Sequence, residues 1–170
     1  LLKEHGDKFL SIDKTKAIRE IGKLALDEMV KGAEVTLARI NVRYANWFRE
    51  RSLYESGLFD RLLDMLRSKD LIYEQDEATW FKVTEFGGEK DAVVIRSAKV
   101  IPEPSERPTY FGSDIAYVYN KFIERKFDRV IYVWGADHHG DLPRMAAIRQ
   151  VYGIEASRLN IVIYQLVNIT

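Results

Sequence analysis

Six consecutive residues, Gly135-Ala136-Asp137-His138-His139-Gly140, concentrate the chemistry-bearing side chains of this sequence. They follow the apolar run Val130-Ile131-Tyr132-Val133-Trp134 and precede a helical pattern. That places them outside the carboxyl end of a strand, where open α/β sheets bind their ligands. Glycine at such a point lets a ligand come close to the backbone. Asp137 can accept hydrogen bonds from ribose-type hydroxyls, and His138 and His139 can donate or accept near neutral pH. The chain has three histidines, so two side by side at a strand end is a concentration. The bland alternative is that Asp137 caps the following helix and the histidines are incidental.

A second group is Thr109-Tyr110-Phe111-Gly112-Ser113-Asp114. Gly112 or Ser113 is expected to open a helix with Asp114 in its first turn. Tyr110 and Asp114, four residues apart, then share one side. A carboxylate pairs with a planar guanidinium through two parallel hydrogen bonds, and a tyrosine can stack on that plane. The alternative, which these residues alone favour, is that Asp114 serves the helix N-terminus electrostatically while Tyr110 is core. A metal reading also arises. Asp137, His138, His139 and Asp141 are ligand types for a hard or borderline cation. The Asp-His-His string resembles that of the DHH phosphoesterases, which hold two metals on further aspartates from other strand ends. No Asp-rich strand end lies upstream here, and adjacent histidines diverge from one backbone, so no metal site is expected.

Composition narrows the classes. The 170 residues are 46% hydrophobic and 31% charged, the balance of a folded globular chain with a core of its own. Lys plus Arg equals Asp plus Glu, so the net charge is zero, which argues against a small domain whose main task is to coat nucleic acid. With no cysteine there are no disulfides, thiolate metal sites or cysteine nucleophiles, in keeping with a cytoplasmic location. No apolar run reaches the roughly 18 residues of a membrane span, and the first ten residues lack the apolar stretch of a secretory signal. Both ends read as cuts within a longer chain.

Periodicity supplies the elements that must position the two groups. Residues 14–40 read as a long amphipathic helix capped by Asp13, with a possible break at Gly32. Its stripe of Ile18, Ile21, Leu24, Ala25, Met29, Val35, Leu37 and Ile40 is expected to face the core or a neighbouring domain. Residues 42–48 are aromatic and strand-like. Gly57 precedes a second helix over 58–68, with Leu58, Leu62, Leu63 and Leu66 inward. Strands follow at 71–74, 78–83 and 91–96, with Gly87-Gly88 as the turn between the last two. Residues 98–108 hold three of the four prolines and read as an extended loop. From there the pattern alternates: helix 113–125, strand 129–134, helix 142–152, strand 160–165. This predicts an α/β fold with a right-handed βαβ crossover in a parallel sheet. Two strands are too few for a stable sheet, so others must come from the preceding region or from outside the chain.

Several strings together resemble the class I arginyl-tRNA synthetases: ERSLYESG at 50–57, DEATWFKVTEFGGEKDAVVIRS at 76–97, PTYFGSDIAYVYNKF at 108–122, FDRVIYVWGADHHG at 127–140 and YQLVN at 164–168. They stand in that family's order. The resemblance implies part of a Rossmann-like nucleotide-binding fold with an inserted α+β region. Residues 1–107 would be the inserted, connective part and residues 108–170 the start of the second half. It implies that Tyr110, Asp114 and His138 contact substrate arginine. It places Gly135, Asp137, His139, Gln165 and Val167 against the adenosine of ATP or of the arginyl-adenylate. The partners implied are L-arginine, ATP with its Mg2+, tRNA(Arg) and the rest of the synthetase chain, with no tightly bound cofactor and no membrane.

The sequence departs from the family in lacking the HIGH-type and KMSKS-type motifs that handle the ATP phosphates. Without preorganised donors for the charge that develops there, most rate enhancement is lost, so this piece is expected to be inactive alone. The loop before Pro108 is also longer and richer in proline than the family's short turn. Two other readings remain: a metal-dependent phosphoesterase built on Asp137-His138-His139, and a non-catalytic folding module.

Overall fold

The computed structural model describes residues 5–101 and 107–165. These divide between Phe48 and Arg49 into two compact units. Val167 and residues 102–106 of the proline-rich loop lie outside the described residues.

The first unit is dominated by helix α1 (Lys14–Arg39). Asp13 caps it, its Oδ1 accepting from the Lys16 amide at 3.0 Å. The helix does not break at Gly32, whose carbonyl accepts from the Thr36 hydroxyl at 2.9 Å. The expected core-facing stripe is not a core here: Ile18, Met29, Val35 and Ile40 are each more than half exposed, and Ala17 is the buried position of the helix. Residues 42–48 form no strand. A strand needs a ladder partner, and aromatic content does not replace one; Tyr44 and Trp47 instead pack edge to face at 5.1 Å.

The second unit opens with helix α2 (Arg51–Glu55). Gly57, at φ 69°, turns the chain into helix α3 (Leu58–Ser68). Leu58, Phe59, Leu62, Leu63 and Leu66 of α3 are all buried, the inward stripe its spacing predicts. Strands β1 (Ile72–Gln75), β2 (Ala78–Phe81) and β3 (Ala92–Ile95) form an antiparallel meander. The two-residue hairpin turn is Asp76-Glu77, both left-handed at φ 52° and 60°. Gly87-Gly88 does not turn a hairpin; it follows a 3-10 helix (Val83–Phe86) that lengthens the connection, and Gly87 closes that helix at φ 86°.

Helix α4 (Tyr110–Tyr119) starts earlier than the spacing suggests. Thr109 is its N-cap: its hydroxyl accepts from the Gly112 amide at 3.1 Å and donates to the Val93 carbonyl at 2.7 Å. The Thr109 amide donates to the Val94 carbonyl at 2.9 Å, so the helix is anchored on β3 at its first residue. Asp114 therefore stands in the second turn, not the first. The last residues of the expected helix form a π turn (Asn120–Glu124), a distortion often found at functional sites. Phe81 stacks on Phe86 and meets Phe111 edge to face at 5.7 Å, tying the meander to α4.

Strand β4 (Val130–Gly135), a 3-10 helix (Ala136–Asp141), helix α5 (Leu142–Val151) and strand β5 (Leu159–Tyr164) complete the unit. β4 and β5 pair in parallel, Val130 opposite Leu159 through Gly135 opposite Tyr164, which is the expected crossover. Among the described residues no strand of the meander joins this pair. Val130 and Tyr132 face the helices, while Ile131 and Val133 on the other face are exposed. No helix among the described residues is long and apolar enough to cross a membrane.

Candidate active site

The α4 stripe and the carboxyl end of β4 meet around Asp114. Thr109 and the buried Gly112 hold the first turn of α4 against β3, so Asp114, one turn on, is held half-buried beside the 3-10 helix that follows β4. Its carboxyl is pushed up to about 7, chiefly by burial, then by the Asp141 carboxylate and by Glu50; Lys121 and His138 act the other way. Among the described residues its surroundings supply burial and charge but no hydrogen-bond donor.

His138 faces the same space. Its Nδ1 lies 3.1 Å from Asp141 Oδ2, and its ring lies 5.3 Å from that of Trp134. Arg144 donates to the other Asp141 oxygen at 2.6 Å, so Asp141 is fixed from two sides. Asp137 does not cap a helix: its side chain is exposed, and the 3-10 helix shows no side-chain cap. Its Oδ1 instead lies 2.5 Å from the point a Cβ on Gly135 would occupy. Glycine at 135 leaves room for this close approach; its backbone is in the ordinary extended region at φ −67°. His139 is exposed, and Gln165 follows Tyr164, the β5 partner of Gly135, so it shares the carboxyl edge of the strand pair.

Tyr110 is not core. It is 82% exposed and borders a cleft of about 270 Å³ with Glu50, Tyr54, Arg96, Pro108, Thr109 and Ser113. Tyr54 bridges this cleft to Asp114. Its hydroxyl bonds Ser113 Oγ; burial raises its pKa, and Glu50 and Asp114 both act on it. The structure thus brings Asp114 and His138 together and sets Tyr110 at a flanking cleft. Glu50 and Lys121 were missed from the sequence. Glu50 stood in the ERSLYESG string without an assigned task, and Lys121 lies seven residues after Asp114, a helical spacing that points to one stripe. Among the described residues no group of three His, Asp or Glu is arranged to hold a metal ion, so the phosphoesterase reading gains no support.

Asp114 makes stability depend on pH. Folded, it keeps its proton up to about 7; an unfolded aspartate releases it near the ordinary 3.8. The stability it contributes is complete below the unfolded value and is lost as pH rises through about 7. Asp114→Asn should leave the denaturant midpoint unchanged at pH 4. At pH 8 it should add roughly 1–2 kcal/mol, discounted for partial solvent access from about 1.4 kcal/mol per pH unit. An unchanged midpoint at pH 8 would contradict the burial of this carboxyl.

Comparison with known proteins bears on what this geometry serves. The family model described as tRNA synthetases class I (R), catalytic domain, matches residues 5–167. An arginine–tRNA ligase of Dehalococcoides mccartyi (strain BAV1) is 41% identical over 169 residues, covering 99% of this chain and 29% of its own length. That of Desulforudis audaxviator is 43% identical over 166 residues, covering 98% of this chain and 28% of its own length. Among solved structures, a putative arginyl-tRNA synthetase from Campylobacter jejuni superposes with a TM-score of 0.79 at 30% identity, over 97% of this chain and 34% of that one. The Thermus thermophilus arginyl-tRNA synthetase shares the fold at a TM-score of 0.65 and 17% identity. The chain spans under a third of the length of the curated relatives it matches.

Proposed function

We propose, from the premise that this chain belongs to the catalytic-domain family of class I arginyl-tRNA synthetases, that it supplies the amino-acid wall of an arginine–tRNA ligase site. The reaction is attack of the arginine carboxylate on the α-phosphate of ATP, giving arginyl-adenylate and pyrophosphate, then transfer of the arginyl group to tRNA(Arg). The observation that carries this reading is Asp114. A half-buried carboxyl crowded by Asp141 and Glu50 and given no donor by its neighbours is a poor structural element and a good partner for a guanidinium.

In this reading Asp114 takes the guanidinium, Tyr110 flanks it from the neighbouring cleft, and His138, oriented by Asp141, reaches the amino acid. Glu50 adds negative charge on the Tyr110 side. Gly135, Asp137, His139, Gln165 and Val167 line the adenosine side, where the strand ends let a nucleotide approach the backbone. Mg2+ enters with the nucleotide as part of the substrate. No side chain here is a general base or nucleophile, so the chain's contribution is positioning and charge complementarity. Residues 1–107 belong to the inserted connective region and 108–170 to the second half of the nucleotide-binding fold. The remainder of the synthetase chain and tRNA(Arg) are its partners, and the cytoplasm is its place of work.

The test is ATP–pyrophosphate exchange by the full-length protein in the presence of tRNA. Exchange should require L-arginine and should not be supported by lysine; exchange supported equally by lysine would refute the reading. The 170-residue chain alone should bind L-arginine weakly or not at all, because the arginine partners contributed by the first half of the nucleotide-binding fold are not in it. Fluorescence of Trp134, whose ring abuts His138, reports on this directly. Micromolar affinity of the isolated chain would overturn that expectation.

A further inference from the structure

Lys121 is unlike a surface lysine. It stands on the π turn that continues α4, seven residues after Asp114 and four after Tyr117, on one stripe of the helix. Its Nζ lies 3.7 Å from the centroid of the Tyr117 ring and 3.8 Å from that of Tyr132. Two ring faces thus hold one ammonium, an arrangement that stabilises a desolvated cation. Tyr132 comes from β4, so the clamp joins the helix that carries Asp114 to the strand that ends in the 135–140 loop. The Tyr132 hydroxyl is buried with no hydrogen-bond partner among the described residues, so that ring is held by packing and by the cation.

We propose that Lys121 is a positioning residue for the arginine site: its ammonium, clamped between Tyr117 and Tyr132, is the resident countercharge of Asp114 and sets the pH range over which Asp114 takes a cationic substrate. This rests on the reading of Asp114 as the guanidinium partner.

The charges around the pair fix the direction of the effect. Asp114 is faced by Lys121 from its own helix, by His138 and Asp141 from the segment after β4, and by Glu50 from the start of the second unit. Two carboxylates oppose its ionisation, and Lys121 is the stronger of the two groups that favour it. Lys121 is faced by Asp114 and Arg125 and by the two tyrosine rings. Burial first, and Arg125 after it, push Lys121 down to about 8, against the pull of Asp114. Removing the ammonium therefore matters near neutral pH and not at alkaline pH. Near pH 7 Asp114 then keeps its proton, and arginine must displace it to bind. At alkaline pH Asp114 is ionised without help, and Lys121 has itself lost most of its charge.

The experiment uses the full-length protein. The KM for arginine and kcat are measured by exchange between pH 6.5 and 9 for Lys121→Met, Lys121→Gln, Lys121→Arg and Asp114→Asn. The neutral Lys121 variants should raise the KM for arginine about fivefold at pH 7, the effect there of displacing by one unit an acid limb that lies near 7. They should match the wild-type KM at pH 9, where Lys121 has itself lost most of its charge, with kcat little changed. Lys121→Arg should match the wild type at pH 7 and, because it stays charged, should show the higher KM at pH 9. A KM raised by one factor at every pH, or unchanged at every pH, overturns the proposal. So does failure of both neutral variants to fold, which would make Lys121 a structural residue. If Asp114→Asn keeps the wild-type KM, the underlying reading of Asp114 fails. If Asp114→Asn loses affinity while the effect of the neutral Lys121 variants does not fade between pH 7 and pH 9, this proposal alone fails.

Discussion

Asp114→Asn in the full-length protein should lower kcat/KM for arginine by roughly 100- to 4,000-fold. The figure follows from removing one partner of a desolvated charge pair, which costs roughly 3–5 kcal/mol, at about 1.4 kcal/mol per factor of ten. Asn keeps the shape of Asp and one acceptor oxygen, so the loss is the loss of charge and of one of the two hydrogen bonds to a guanidinium. The KM for ATP should hardly move, because the adenosine side is proposed to lie on the 135–140 loop and the end of β5. Unfolding cannot account for the loss, since the same substitution is expected to raise stability at neutral and alkaline pH by removing a crowded carboxylate. A loss smaller than about tenfold would mean that Asp114 is not a direct partner of the substrate's charge. The acid limb of the wild-type profile, placed by a carboxyl pushed up to about 7, should also vanish in the variant. Wild-type arginine affinity itself should weaken as pH falls below that value, because the protonated carboxyl no longer attracts a cation.

Where a feature depended on local chemistry, the sequence showed it. The leucines of α3 recur at helical spacing, the VIYVW run forms the expected strand although only one of its faces is buried, and Asp13 preceded a helical pattern as a cap does. Where a feature depended on a partner distant in sequence, the residue type misled. Gly87-Gly88 looked like the hairpin turn, yet the register of β1 and β2 forces Asp76 and Glu77 into left-handed conformations that glycine would take more easily. Residues 42–48 have strand composition but no strand beside them. Gly112 or Ser113 looked like the helix start; Thr109 caps it instead, held there by hydroxyl bonds to β3 carbonyls fifteen and sixteen residues upstream. The site divides in the same way. Asp114 and His138 could be named from their motifs. Glu50 and Lys121 acquire meaning only when the fold sets them around Asp114. A string resemblance could name the strings but not show that Asp141 is the strut between His138 and Arg144.

Gly112→Ala should destabilise the protein by about 2 kcal/mol, the range of an overpacked core, and lower arginine kcat/KM by about 10- to 100-fold, the scale of a misplacement near 1 Å. A Cβ at 112 would lie 2.8 Å from the Val94 carbonyl oxygen, 3.2 Å from Phe59 Cε2 and 3.3 Å from Val94 Cγ1. The nearest atom is backbone, and it belongs to the carbonyl that receives the Thr109 amide, so the clash cannot be relieved by rotating a side chain. The first turn of α4 must move off β3, and Asp114, two residues on, moves with it. The better helix propensity of alanine, about 1 kcal/mol over glycine, offsets part of the stability cost but none of the displacement. Gly135→Ala is the informative contrast. Its nearest obstacle is the Asp137 carboxylate at 2.5 Å, the free end of an exposed side chain that can swing away. That variant should fold with nearly wild-type stability and, with Asp137 displaced, should raise the KM for ATP more than the KM for arginine. Two glycines of one sequence family motif set would then separate the site into its two tasks: the packing of α4 on β3 governs the amino acid, and the close turn after β4 governs the nucleotide. Equal effects of both substitutions on both substrates would show that the two walls move as one body.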